Sequence, residues 1–210
     1  MRENLKYLTC YKSVNLDMFD YTKGWLVMKR NIYILLGVVL LVGIALAQNA
    51  DNGIAAVFKQ EEPMPTETGP KAGLLAPAFS LQAMDGKTYS VGGAKEKAIF
   101  VSFWASWCEP CKQEAPALNT LAAKYKDKLD LYGVNVTTYD KIRDAKAFVD
   151  EYKLTFPILL DEDGTAYAKY NGLAFPTNVL IDSRGVVQEI ILGILPEKEL
   201  ERKIKELIAD

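Results

Sequence analysis

The feature that most constrains this chain is the stretch Trp104-Ala105-Ser106-Trp107-Cys108-Glu109-Pro110-Cys111-Lys112. Its two cysteines follow directly on an apolar run, Ala98 to Ala105, that reads as a buried strand, and a helix-like pattern comes after them. A C-x-x-C pair set between a strand and a helix points to redox chemistry. Cys10, Cys108 and Cys111 are the only cysteines in 210 residues, so the chain is no disulfide-stapled scaffold. A bond within the pair would be chemistry rather than a staple. The chain has no histidine. That excludes Ser-His-Asp and Cys-His nucleophile systems and histidine metal ligands, and leaves acid–base work to carboxylates, thiols, lysine or water. A zinc site takes about four ligands, and a single C-x-x-C does not supply them. Net charge is -2 with mixed signs, so no basic face for nucleic acid is expected.

A second constraint lies upstream. Ile32 to Ala47 is one unbroken apolar run. As a helix it spans ~24 Å, a little short of the ~30 Å hydrocarbon core. Lys29, Arg30 and Asn31 before it and Gln48 and Asn49 after it can snorkel to close the gap. Arg2, Lys6, Lys12, Lys23, Lys29 and Arg30 precede the run, whereas Asp51, Glu61, Glu62 and Glu67 follow it. The positive-inside rule puts the N-terminus in the cytoplasm and the rest outside. The expected plan is a cytoplasmic tail over 1–31, a single-pass signal-anchor over 32–48, a Pro- and Glu-containing tether over 49–72 and one globular domain over 73–210. Ala45-Leu46-Ala47 also resembles a leader-cleavage site, which would export the same domain. Met28-Lys29-Arg30-Asn31 would make a compact start, so residues 1–27 read as an extension ahead of the true start.

The downstream pattern predicts short strands over Ala78–Leu81 and Thr88–Val91 around a Met84-Asp85-Gly86-Lys87 turn. Further strands are predicted over Ala98–Ala105, Leu129–Val136, Ile158–Leu160, Thr177–Ile181 and Val186–Leu192, the last two joined at Asp182-Ser183-Arg184-Gly185. Helices are predicted from near Cys108 to Lys126, over Lys141–Tyr152 and over Glu197–Ala209.

This order, with Trp-Cys-x-Pro-Cys after the central strand, resembles the thioredoxin fold. The first hairpin resembles the extra element of the membrane-anchored, extracytoplasmic ResA/TlpA-type thiol–disulfide oxidoreductases. The resemblance covers about Gly73 to Asp210 and the anchor. It is carried by Trp107-Cys108-Glu109-Pro110-Cys111, by Pro116 in the helix and by Phe175-Pro176-Thr177 before a strand. It implies an α/β thioredoxin-like fold, with a mixed central sheet flanked by helices, an N-terminal β-hairpin extension and one N-terminal transmembrane helix. It implies no cofactor beyond a redox-active Cys108–Cys111 disulfide. The implied partners are disulfide-containing proteins, apocytochrome c among them, and a transmembrane electron donor of the CcdA type.

On this reading Cys108 sits at a helix N-terminus, where unpaired N–H groups stabilise a thiolate below the free value of ~8.5. It attacks a substrate disulfide, and Cys111, one turn on and more buried, resolves the mixed disulfide. Glu109 and Pro110 tune the pair; Glu109 favours the helix dipole but opposes a neighbouring thiolate, so its net sign stays open. Glu114 lies three residues past Cys111 on an adjacent turn. It is either a proton acceptor for Cys111, as the resemblance implies, or a solvated surface residue. Thioredoxin's buried Asp, six residues before its first cysteine, is here Ser102, which makes a role for Glu114 more necessary. Pro116 is expected to kink the helix. The resemblance makes Pro176 a cis-proline facing the pair, with Phe175 backbone pairing an extended substrate. Trp104 is expected in the core and Trp107 as an apolar platform at the rim. Rival functions are a disulfide-forming oxidant, a spore-envelope reductase and a non-catalytic client-binding module. A peroxidatic Thr/Ser-x-x-Cys is absent, since Ala105 stands three residues before Cys108.

Overall fold

The structure is a computed structural model that describes residues 18–49, with side chains from 28 to 45, and residues 64–209. Cys10, with the rest of the first 17 residues, and positions 50–63 of the expected tether lie outside the described residues. The chain divides into two units, 1–62 and 63–210, treated separately below.

The first unit contains α1 (Met18–Asn49). Its Met28–Ala45 stretch is long and apolar enough to cross a membrane. Ile34, Leu35, Leu40 and Leu41 are all largely exposed on it. The helix extends past the apolar run at both ends because its backbone bonds close within the segment whatever the side chains.

The globular unit opens with a hairpin of β1 (Phe79–Gln82) and β2 (Thr88–Val91), in register Phe79–Val91 through Gln82–Thr88. Gly86 takes a φ of 81° in its turn, a conformation glycine adopts without steric cost. Next come β3 (Ala98–Trp104), α2 (Glu109–Tyr125), β4 (Leu129–Asn135), α3 (Ile142–Tyr152) and β5 (Ile158–Leu160). The chain ends with α4 (Thr165–Lys169), β6 (Thr177–Ile181), β7 (Val187–Leu192) and α5 (Glu197–Leu207). The main sheet has the order β5-β4-β3-β6-β7. Strands β3, β4 and β5 are parallel, while β6 and β7 add antiparallel.

Every residue of β3 is buried because both faces of the sheet are covered. Ala98, Phe100 and Trp104 face one core with Leu118 and Leu121 of α2, Phe148 of α3 and Leu200 and Ile204 of α5. Ile99, Val101 and Phe103 face the other, closed by Phe79 and Val91 of the hairpin, Ala166 and Tyr167 of α4 and Tyr170 just after it. The hairpin is therefore a lid on the second face, a position that strand patterning alone leaves open.

Two short elements escaped the sequence reading: a 3-10 turn over Thr137–Tyr139 and α4. Five residues are too few for a helical period to show. α4 is held instead by a side chain from the loop before it, the buried Asp161 carboxylate accepting the Ala166 and Tyr167 N–H groups at 3.1 and 2.8 Å. The last part of the expected tether is tied to the globular unit: the Gly69 N–H donates to the Leu75 carbonyl and the Leu75 N–H to the Glu67 carbonyl.

Candidate active site

The chain leaves β3 at Trp104, and a turn closed by the Cys108 N–H on the Ala105 carbonyl brings Cys108 to the start of α2. Cys108 has extended backbone and is the N-cap residue; its Sγ accepts the Cys111 N–H at 3.2 Å. Thus one orphan donor of the first turn points at sulfur, the arrangement that favours a thiolate once the bond is reduced. Cys108 and Cys111 are joined as a disulfide, with Cα atoms 5.3 Å apart, and both are 4% exposed, so Cys111 is not the more buried of the two as expected. Pro110 lies in the first turn, where a missing N–H leaves no helical bond unmade. Glu109 points outward and pairs with Lys112 at 3.1 Å, so part of its charge is offset near the cysteines. This exposed pair is worth little in stability.

Beneath the disulfide the sheet presents a row of small or polar residues, Gly133 of β4, Ser102 of β3 and Asn178 of β6, in register across three strands. The Gly133 position is closely packed, since a Cβ there would lie 2.9 Å from the Ile158 and Phe156 side chains, and Glu114 lines the same small cavity as Ser102 and Gly133. Glu114 is 1% exposed, which removes the reading of a solvated surface residue. Its Oε1 accepts the Asn178 Nδ2–H at 2.7 Å. Burial pushes its carboxyl up to about 7, with the Asn178 amide opposing the shift. A carboxyl titrating near neutrality exchanges protons readily at working pH. Glu114 and Cys111 line one small cavity of about 20 Å³, together with Ser102, Trp104 and Gly133; that is room for about one water. β3 thus brings Ser102, and α2 brings Glu114 and Cys111, to one cavity.

The rim is aromatic. Trp107 is 60% exposed, and its ring lies edge-on to Phe175 at 5.6 Å. Phe175 in turn stacks on Tyr167 at 4.9 Å. The Phe175–Pro176 peptide bond is cis. The Trp107–Phe175 contact therefore sets this bond beside the residue preceding Cys108, and Phe175 packs on the cluster that holds both cysteines. Trp104 is buried and stacks on Phe148 at 4.5 Å. Pro116 is exposed within α2. Among the described residues no group of acidic or cysteine side chains is placed to hold a metal ion.

Sequence reasoning missed Asn178, Tyr139, Tyr167 and Asp140. Asn178 did leave a signal: it is the one amide in the apolar strand Thr177–Ile181, and a buried amide needs a partner. The others gave none, because what matters is where loops distant in sequence bring them.

The AhpC/TSA family profile matches residues 72–190. The chain belongs to the AhpC/TSA family. Thioredoxin-like protein YneN of Bacillus subtilis is 43% identical over 139 residues, 66% of this chain and 81% of that one. Thiol-disulfide oxidoreductase ResA of Bacillus cereus is 34% identical over 153 residues, 71% of this chain and 83% of that one. The crystal structure of StoA from Bacillus subtilis superposes with a TM-score of 0.54 at 27% identity, covering 60% of this chain and 95% of that one. With the Cys108–Cys111 pair at a strand–helix junction, this makes the chain a thioredoxin-like thiol–disulfide oxidoreductase.

Proposed function

We propose that the chain is a membrane-tethered, extracytoplasmic reductant of protein disulfides. Cys108 is the attacking thiolate and forms the mixed disulfide with the substrate. Cys111 then displaces the reduced substrate thiol, giving the Cys108–Cys111 disulfide seen here. Glu114 takes the Cys111 proton as it attacks. Trp107, Phe175 and Pro176 form the platform on which an extended substrate lies, and Glu109 and Pro110 tune the potential. The observation that carries this reading is the buried Glu114 carboxyl, poised near 7 and sharing a cavity with Cys111.

The proposed clients are apocytochrome c cysteines before haem attachment. The proposed electron source is a transmembrane donor of the CcdA type, which an extracytoplasmic reductant requires. Both follow from the ResA-type resemblance. The apolar stretch of α1, with basic residues before it, supports a single-pass anchor and an outward-facing domain.

The deciding measurement is the reduction potential of the full chain in detergent, equilibrated against thiol buffers. A value near or below about -230 mV is expected for a reductant. A value near about -120 mV would make it a disulfide-forming oxidant and overturn the proposal. A reductant that ignores an oxidised C-x-x-C-H peptide but reduces other protein disulfides would remove the cytochrome assignment alone.

A further inference from the structure

We propose that Asp140 is the positioning residue of the redox loop, holding Ser106-Trp107-Cys108 so that Cys108 stays at the helix N-terminus and Trp107 at the rim. The inference rests on the assignment of Cys108 as the attacking thiol. Asp140 lies just after the 3-10 turn, far from the cysteines in sequence, yet its carboxylate reaches back to their loop. Oδ2 accepts the Ser106 N–H at 2.6 Å and the Asn135 Nδ2–H at 2.8 Å. Oδ1 accepts the Ser106 hydroxyl at 2.6 Å and the Lys141 N–H at 2.7 Å. The neighbouring Tyr139 carbonyl accepts the Trp107 Nε1–H at 2.8 Å. Three bonds thus clasp residues 106 and 107 to residues 139 and 140.

The clasp is itself braced. Asn135, fully buried at the end of β4, donates to Asp140 and accepts the Thr137 hydroxyl at 3.0 Å. Burial works against the Asp140 charge, but the Ser106, Asn135 and Lys141 donors outweigh it and hold the carboxyl below its ordinary value. Asp140 is therefore ionised at neutral pH, and its hydrogen bonds are the strong, charge-assisted kind. The loop needs such a brace, since the helical bonds of α2 begin only after it, with the Lys112 N–H on the Cys108 carbonyl.

Two roles for Asp140 make opposite predictions about the Cys108 thiol. A negative charge acting only at a distance raises a thiol pKa, so its removal lowers it. A brace that keeps Sγ against the helix N–H groups lowers the pKa, so its loss raises it. The test is iodoacetamide alkylation of the reduced full chain in detergent across pH, resolved at Cys108 by mass spectrometry, for Asp140→Ala and Ser106→Ala. The Cys108 pKa is expected to rise in both, more in D140A. The rate of insulin disulfide reduction at pH 7 is expected to fall about tenfold in D140A, within the range that loss of alignment produces. An unchanged or lowered Cys108 pKa in a folded variant overturns the proposal. Ser106→Ala carries the test alone if D140A does not fold, since it removes one hydroxyl and no charge. Wild-type chain that fails to reduce insulin would sink the reductase reading, while the alkylation profiles would still decide Asp140.

Discussion

Glu114 is the residue at which the proposed chemistry and stability meet. Its carboxyl titrates at about 7 in the oxidised fold against 4.5 for the free group. The native state therefore binds this proton more tightly than the unfolded chain does. Its contribution is fully present below about pH 4.5 and is lost as pH rises through about 7, on the order of 3 kcal/mol in all. Urea unfolding of the oxidised chain is expected to show lower stability at pH 8 than at pH 5, and Glu114→Gln to flatten that slope. The same variant is expected to slow disulfide reduction and remove the step near neutrality from the pH–rate profile. An E114Q enzyme with the wild-type profile would take Glu114 out of the mechanism. The sequence placed Glu114 one turn from Cys111 by spacing alone. It did not supply the burial, which comes from packing α2 on the sheet with Asn178 of β6 opposite the carboxyl.

At the scale of elements, β6 and β7 join through a turn built on Asp182, whose carboxylate accepts the Val186 N–H at 2.9 Å and bonds Arg184 and Gln188. Gly185 sits there at φ 85°, and a Cβ would lie 2.6 Å from the Gly93 carbonyl oxygen. Gly185→Ala is expected to destabilise the domain by about 1–3 kcal/mol through strain and collision. The melting temperature would fall by roughly 2–4 °C per kcal/mol, with the Cys108 pKa unchanged because the turn is not part of the redox loop. An undiminished melting temperature would mean that the two loops move apart freely. In the globular unit the longer elements were legible within a residue or two because each carries its own period or turn signal, whereas α1 begins at Met18, well before the apolar run that the sequence marked. α4 was not, because a buried aspartate from the preceding loop holds it rather than any pattern inside it.

For the whole molecule the expectation concerns the anchor. The Met28–Ala45 stretch of α1 is a single apolar span, and the redox unit begins after it. Full-length chain expressed in a bacterium is expected to stay in the membrane pellet after alkaline carbonate extraction, and a chain lacking 32–47 to be released. Protease added outside spheroplasts is expected to digest the redox unit. Protection from the protease would reverse the proposed orientation, and a soluble full-length product trimmed after Ala47 would replace the anchor with a cleaved leader.

What the sequence determined by itself was local: a cysteine pair where a strand meets a helix, an apolar run with its flanking charges, and the hairpin turns. Each is written in residues near one another along the chain, where period, turn chemistry and helix-end electrostatics act. The tertiary structure decided everything that depends on what approaches from far along the chain. Folding β6 against β3 brought Asn178 to Glu114, and the loop after β4 brought Asp140 to Ser106. Desolvation and hydrogen-bond partnership are properties of the assembled interior, so the proton affinity of Glu114 and the bracing of Cys108 exist only once the sheet is closed.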